Sequence, residues 1–174
     1  QVDHDNVGAC KELVTVLFAK GIQNIAYLGS NMDQMVNRCR YQGYEEAYRK
    51  GKRKLNQDLV YTDLSSRAMV EKAVEELKNS GVECILCQDD YICDEVVRKL
   101  ARMGVRIPDQ MKVASCHYSR ILENYPITIT SLKFNITELG RRSCQVLLDM
   151  IHGKTVPDKT LLDYEIILKE STKG

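Results

Sequence analysis

The stretch CILCQDDYICDEVVRKLARMG, residues 84–104, joins an apolar run directly to a helical pattern. Its first four residues are apolar, which is typical of a strand buried on both faces. From Asp90 to Met103 apolar residues recur at helical spacing, and Gly104 follows where a helix would end. The stretch therefore predicts one strand–helix unit of an α/β fold.

The same alternation of strand and helix runs through the rest of the chain. Helical patterns cover residues 7–20, 34–50 and 67–79, with Asp5 or Asn6 as the cap of the first and the serine before Arg67 as the cap of the third. Another lies between Asn135, a predicted N-cap, and Gly153. Strand patterns occur at NIAYLG (24–29), DLVYTDLS (58–65), VECILC (82–87), MKVASC (111–116), ITITSLKF (127–134) and LLDYEIIL (161–168).

Strands that alternate with helices of this length predict a parallel β-sheet flanked by helices, because parallel strands need a right-handed crossover between them. ITITSLKF alternates as an exposed or edge strand would. In a parallel sheet, ligands bind beyond the carboxyl ends of the strands. The residues at those ends are Ser30, Asn31, Asp63, Leu64, Asp89, Asp90 and His117.

Cys84 and Cys87 form a Cys-x-x-Cys motif that does not fit a metal site. Side chains alternate along a strand, so residues three apart point to opposite faces. No second pair at ligand spacing follows, and the histidines at positions 4, 117 and 152 are isolated. These cysteines are interpreted as core residues.

Asp89 and Asp90 permit two interpretations. Paired carboxylates after a strand can hold Mg²⁺ in a phosphotransfer domain. Alternatively, one of them caps the following helix, with Asp90 the favoured cap and Asp89 facing a cleft. The sequence contains no Gly-rich phosphate loop and no nucleophile motif, so neither an enzyme nor a bound cofactor is predicted.

The composition is that of a globular domain, and its near-neutral charge does not indicate a highly charged partner. The 25 Lys and Arg against 24 Asp and Glu give a net charge of +1, so this segment has no charge-based case for binding nucleic acid or an anionic membrane. Seven cysteines, an odd number, favour a reducing compartment such as the cytoplasm. The opening QVDHDNVGAC lacks an initiator Met and a signal pattern, from which a fragment of a longer protein is expected.

Five segments in fixed order resemble the lactose-repressor (LacI/GalR) family of transcriptional regulators, and together they span nearly the whole chain. Each resembles a family motif: Asp-Asn-x-x-Gly near the start, Arg-x-x-Gly-aromatic, Asn-Asp-x-x-Ala, Leu-Gly-x-x-Ala and a closing Leu-x-x-Arg-x-Ser. The segments are DNVGACKELVTVLFAKGIQNIAYLG, RYQGYEEAY, CQDDYICDEVVRKLARMGVRIPDQMKVAS, ITSLKFNITELGRRSCQVLLDMIHGK and EIILKEST.

The resemblance implies the effector-binding domain of a regulator, shaped like a periplasmic sugar-binding protein with two lobes. Residues 1–174 would supply mostly the C-terminal lobe, a three-layer α/β/α unit, with about residues 130–160 returning through the hinge to the N-terminal lobe. A helix-turn-helix domain and the first half of the effector domain would lie outside this chain. Four apolar residues would then pack on the missing half: Leu139, Val146, Leu147 and Met150.

The resemblance also implies an effector site. Arg40 matches the family's ligand-binding Arg, and its alternative is a surface Arg paired with a neighbouring acid. Asp5 matches the hinge acid, although a helix cap explains Asp5 equally well. Asp89 replaces a frequent Asn and His117 replaces a frequent Asp. Leu64 stands where an aromatic residue commonly stacks on the ligand, and Phe134 lies at a hinge position.

The implied function is an effector-responsive transcription factor that binds a small polar ligand and, as a homodimer, operator DNA, without a membrane role. The alternative that shares this lobe is a periplasmic or receptor-type solute-binding protein. The phosphotransfer interpretation depends on Asp89 and Asp90 alone.

Overall fold

The computed structural model describes residues 1–174, which form eight strands and five α-helices. The strands are β1 (Val2–His4), β2 (Ile25–Leu28), β3 (Val60–Tyr61), β4 (Cys84–Cys87), β5 (Lys112–Ser115), β6 (Thr130–Phe134), β7 (Thr160–Leu162) and β8 (Tyr164–Ile167). The helices are α1 (Asn6–Ala19), α2 (Met35–Lys50), α3 (Arg67–Leu77), α4 (Asp90–Arg102) and α5 (Ile136–Ile151). Short 3-10 helices cover Gln57–Leu59, Arg120–Asn124 and Glu170–Thr172.

Six strands form one mostly parallel sheet in the order β3-β2-β4-β5-β6-β8. All neighbours in it are parallel except β6 and β8, which are antiparallel. The remaining strands, β1 and β7, form a separate parallel pair. The α/β fold class predicted from the sequence is therefore confirmed.

The large sheet separates two apolar cores. Helices α1 and α2 contribute to the core on one face, and α3 and α4 contribute to the core on the other. Cys84 belongs to the first core and Cys87 to the second, so the two thiols lie on opposite faces as the strand alternation predicted. The result is a three-layer α/β/α arrangement.

Polar side chains cap three helices, α1, α3 and α5, at positions that the sequence predicted. The Asp5 carboxylate accepts the Gly8 N–H at 2.9 Å, and the Asn135 side chain accepts the Glu138 N–H at 2.9 Å. Ser66 caps α3 by accepting the Met69 N–H at 3.3 Å. These caps satisfy backbone donors that the first helical turn leaves without partners.

The expectation that residues 127–134 form an edge or exposed strand is wrong. β6 lies between β5 and β8, and it is buried apart from Lys133. Its polar residue Thr130 is buried because its hydroxyl pairs with that of Thr172 at 2.7 Å and accepts the Lys169 N–H at 2.9 Å. The partners that cover this strand come from the end of the chain.

Two further strand predictions need correction. The run at 161–168 is not one strand, because Asp163 divides it into β7 and β8, which belong to different sheets. The run at 58–65 keeps only Val60–Tyr61 as a strand, since Gln57–Leu59 form a 3-10 helix. The short strand β1 was not predicted at all.

Helix α5 projects from the body of the fold, with β1 as its main neighbour. It has no buried residue, and Ile151 is 69% exposed. Four other apolar side chains of α5 are also exposed: Ile136, Leu147, Leu148 and Met150. No helix in the chain is both long and apolar enough to cross a bilayer.

Candidate functional site

Arg40 lies in α2 and points to the carboxyl ends of the strands. It is only 8% exposed, and it donates from Nη1 to the backbone oxygen of Gln88 at 2.9 Å. Its Nε donates to the Asn6 side-chain oxygen at 3.3 Å. None of the ion pairs of the chain includes Arg40, so it is not the surface ion-pair residue of the alternative interpretation. A buried guanidinium that lacks an anionic partner retains donors for a ligand.

Asp89, not Asp90, is the N-cap of α4. Its backbone is extended, and one carboxylate oxygen accepts the Ile92 N–H at 2.9 Å. The preference for Asp90 as the cap is wrong, because Asp90 is already the first helical residue and a cap must have non-helical backbone angles. Asp90 is 7% exposed in the first turn, where the helix dipole favours its negative charge.

Asp89 also lines a cavity of about 540 Å³ at the carboxyl end of the sheet. Ser30, Asn31 and Leu64 line the same cavity, so three of the strand ends named from the sequence meet there. Asp63 instead borders an adjacent hollow that also includes Ser30 and Asn31. Leu64 belongs to the core below, which makes it a buried floor residue and not an exposed stacking surface.

The loop after β2 is held by amide side chains that sequence reasoning missed. Asn37 donates to the backbone oxygens of Ser30 at 2.9 Å and Asn31 at 3.0 Å. Gln88 is fully buried, and its side-chain oxygen accepts the Ser30 N–H at 3.1 Å. Asn37 could have been found because it precedes Arg40 by one helical turn and thus shares its face.

His117 follows β5 and contributes a neutral ring to the site. Ser115 fixes its backbone: the Ser115 hydroxyl donates to the His117 carbonyl oxygen at 2.7 Å and accepts its N–H at 3.2 Å. Burial lowers the pKa of the imidazole, and the positive charge of Arg40 lowers it further, while Asp90 and Asp89 oppose the shift. Its Nδ1 is buried and has no hydrogen-bond partner within the chain.

Phe134 is buried at the end of β6 and contacts two histidine rings. Its ring centroid lies 4.8 Å from that of His4 and 6.3 Å from that of His117. His4 was not singled out from the sequence, and no local pattern marks it. Asp5 follows His4 directly and serves as the cap of α1, which confirms one of its two interpretations.

Most of the predicted residues thus lie at one end of the sheet, in two groups, and the charge of Asp89 acts on His117 of the other group. Arg40, His117 and Phe134 gather around the ends of β4, β5 and β6, and Asp89 continues into the cavity that Leu64 floors. Tyr91 adds an aromatic side chain to the cavity rim and is 72% exposed. Such a site offers hydrogen-bond donors, carboxylate acceptors and one aromatic face to a small polar molecule.

Residues 14–172 match the family described as periplasmic binding protein-like domain. The chain is 27% identical to the HTH-type transcriptional regulator CelR of Thermobifida fusca over 173 residues, which covers 98% of this chain and 51% of that protein. It is also 27% identical to the HTH-type transcriptional regulator GntR of Escherichia coli K12, covering 92% of this chain and 48% of that protein. The chain therefore spans about half the length of these curated relatives.

Solved structures of transcriptional regulators are similar to this chain as well. A transcriptional regulator CelR–cellobiose complex superposes with a TM-score of 0.86 and 26% identity, covering 98% of this chain and 53% of that one. The transcription regulator CcpA of Lactococcus lactis superposes with a TM-score of 0.87 at 24% identity, covering 99% of this chain and 64% of that one, which supports the fold. The resemblance found in the sequence motifs is confirmed.

Proposed function

This chain belongs to the periplasmic binding protein-like domain family, and we propose that it is the effector-sensing part of a LacI-family transcriptional regulator. The observation that carries the proposal is the buried Arg40, which has no carboxylate partner and lies at the sheet end where ligands bind. The similarity to regulators that include a cellobiose complex supports a sugar or related metabolite as the ligand.

Each candidate residue has a proposed role in that site. Arg40 donates to ligand oxygens, Asp89 accepts from hydroxyl groups through the oxygen that does not cap α4, and His117 offers a neutral ring that donates or accepts. Phe134 and Leu64 supply apolar walls, and Asp5 acts at the hinge while it caps α1. Tyr91 provides the aromatic surface that Leu64 lacks, since its ring is exposed at the cavity rim.

The rest of the regulator is proposed to come from sequence outside this chain. Residues 1–174 supply mostly the C-terminal lobe, whose sheet includes β6, so the return through the hinge begins after Phe134 and not at residue 130. Helix α5 and the separate β1–β7 pair are proposed to belong to the N-terminal lobe. The exposed apolar side chains of α5 support this assignment, because such surface is rarely left bare. An N-terminal helix-turn-helix domain would then bind operator DNA.

The proposed mechanism is a shift between two lobe arrangements. A ligand that contacts both lobes favours the closed arrangement, and operator affinity changes to the extent that the ligand binds the two states differently. The full-length protein is proposed to act in the cytoplasm as a homodimer, by binding and not by catalysis. Its relatives are named as HTH-type regulators, which supports this over a secreted solute-binding role.

Calorimetric titration of the full-length protein tests the proposal with cellobiose, glucose, a sugar acid and a nucleoside. Arg40→Ala is compared with Arg49→Ala, whose side chain is 80% exposed and reaches Glu46 only at 3.8 Å. We expect one compound to bind, Arg40→Ala to weaken binding tenfold or more, and Arg49→Ala to leave it unchanged. Equal affinity of Arg40→Ala and the native protein would refute the site.

Operator binding is tested separately. The full-length protein is mixed with DNA from upstream of its own gene, with and without the compound that binds. A change in DNA affinity on adding the compound supports a regulator. Failure to bind any DNA, together with tight binding of the compound, would favour the solute-binding alternative.

A further inference from the structure

The rings of His117, Phe134 and His4 form an aromatic column in which Phe134 contacts both histidines. The His117 and Phe134 rings are nearly parallel, with an interplanar angle of 17° and centroids 6.3 Å apart. Phe134 also contacts His4, with centroids 4.8 Å apart and a tilt of 43°. Both separations fall in the range where aromatic rings attract each other. His117 follows β5 at the carboxyl end of the sheet, whereas His4 ends β1.

The column continues into α5 through one hydrogen bond. The His4 Nε2 lies 3.4 Å from the backbone oxygen of Asn135, to which it donates in the tautomer that carries the proton on Nε2. Asn135 is the residue whose side chain caps α5. His4 is 7% exposed, so its ring has little freedom to turn without moving its neighbours.

We propose that His4 is a positioning residue that, with Phe134, couples the His117 ring to the N-terminus of α5. Movement of the His117 ring displaces Phe134, since the column is packed against buried neighbours. Phe134 then shifts His4 and, through Asn135, the start of the helix. As a path for effector regulation this coupling depends on the proposed function, because it presumes that the effector contacts His117 and that α5 belongs to the other lobe.

The experiment measures this coupling by NMR without any ligand. In the full-length protein, labelled isoleucine methyl groups and histidine rings report on Ile136, the first residue of α5, and on His4. His117→Asn is the perturbation. It is introduced into the native background, into Phe134→Tyr, which keeps the ring, and into Phe134→Leu, which keeps apolar volume without a ring. The buried Ile85, in β4, reports whether each variant folds.

We expect His117→Asn to shift the Ile136 and His4 signals in the native and Phe134→Tyr backgrounds, and the shift to be lost in Phe134→Leu. Should Phe134→Leu fail to fold, His4→Leu serves instead and is expected to abolish the Ile136 response. The proposal is wrong if the Ile136 signal does not shift in His117→Asn. It is also wrong if the shift is equally large in the Phe134→Leu background, which has no ring at position 134. Failure of every sugar to bind would contradict the proposed function while leaving this coupling measurement intact.

Discussion

Gly43 of α2 lies directly against the backbone of Val7 in α1. A Cβ atom at Gly43 would stand 2.4 Å from the Val7 carbonyl oxygen and 2.9 Å from the Cys10 Cβ. Neither neighbour is the end of a flexible side chain. The close approach of the two helices therefore depends on the absence of a side chain, and it places Arg40, one turn earlier in α2, over the sheet end.

Replacing Gly43 with Ala should destabilise the fold by about 1–3 kcal/mol, the usual cost of overpacking a filled site. Urea unfolding followed by circular dichroism measures the change. Gly140→Ala is the matched control, because a Cβ there meets nothing within 4 Å. Within α5 that control should gain about 0.5–1 kcal/mol from helix propensity. Equal midpoints for the two variants would contradict the packing argument.

Asp89 both caps α4 and lines the cavity, and two substitutions separate these roles. Asp89→Ala removes the acceptor for the Ile92 N–H and should lower the free energy of unfolding by about 1 kcal/mol. Asp89→Asn retains the cap, so its unfolding should change less, while ligand affinity falls because a carboxylate acceptor is lost. Urea unfolding and calorimetry are measured for both. If Asp89→Asn binds the ligand like the native protein, Asp89 acts only as a cap.

Tyr91 should contribute to ligand binding without contributing to stability. Its ring is exposed at the cavity rim, so Tyr91→Ala should change the free energy of unfolding by no more than about 0.5 kcal/mol. Loss of an aromatic contact worth about 0.5–1.5 kcal/mol should weaken binding roughly two- to tenfold. Tyr91→Phe keeps the ring and should bind normally. Unchanged affinity in Tyr91→Ala would remove Tyr91 from the site.

The sheet could be predicted because its signals are local. Apolar runs and the helix caps at Ser66 and Asn135 follow from residues near in sequence. The buried position of β6 could not be predicted, because the hydroxyl that satisfies Thr130 comes from Thr172. A local pattern carries no information about such a distant partner.

The residues of the candidate site were likewise predicted only in part. Asp89 and His117 were found because each follows a strand, and Arg40 through its motif. Gln88 and His4 were missed, since the importance of Gln88 depends on the loop at Ser30 and that of His4 on the ring of Phe134. These contacts arise only when strands far apart in sequence become neighbours.

His117 should make stability depend on pH in a defined direction. Its pKa in the folded chain is lowered, chiefly by burial and then by Arg40, whereas the unfolded value is about 6.5. Between these two values the unfolded chain binds more protons, so the free energy of unfolding rises with pH. The contribution is complete above about 6.5 and is lost as the pH falls through the folded-state pKa.

Urea unfolding between about pH 5 and 7.5 should therefore show a slope that His117→Asn reduces. His152→Asn, at the exposed end of α5, is the control and should retain the native slope. A native slope in His117→Asn would mean that another group, and not the cleft imidazole, resists protonation.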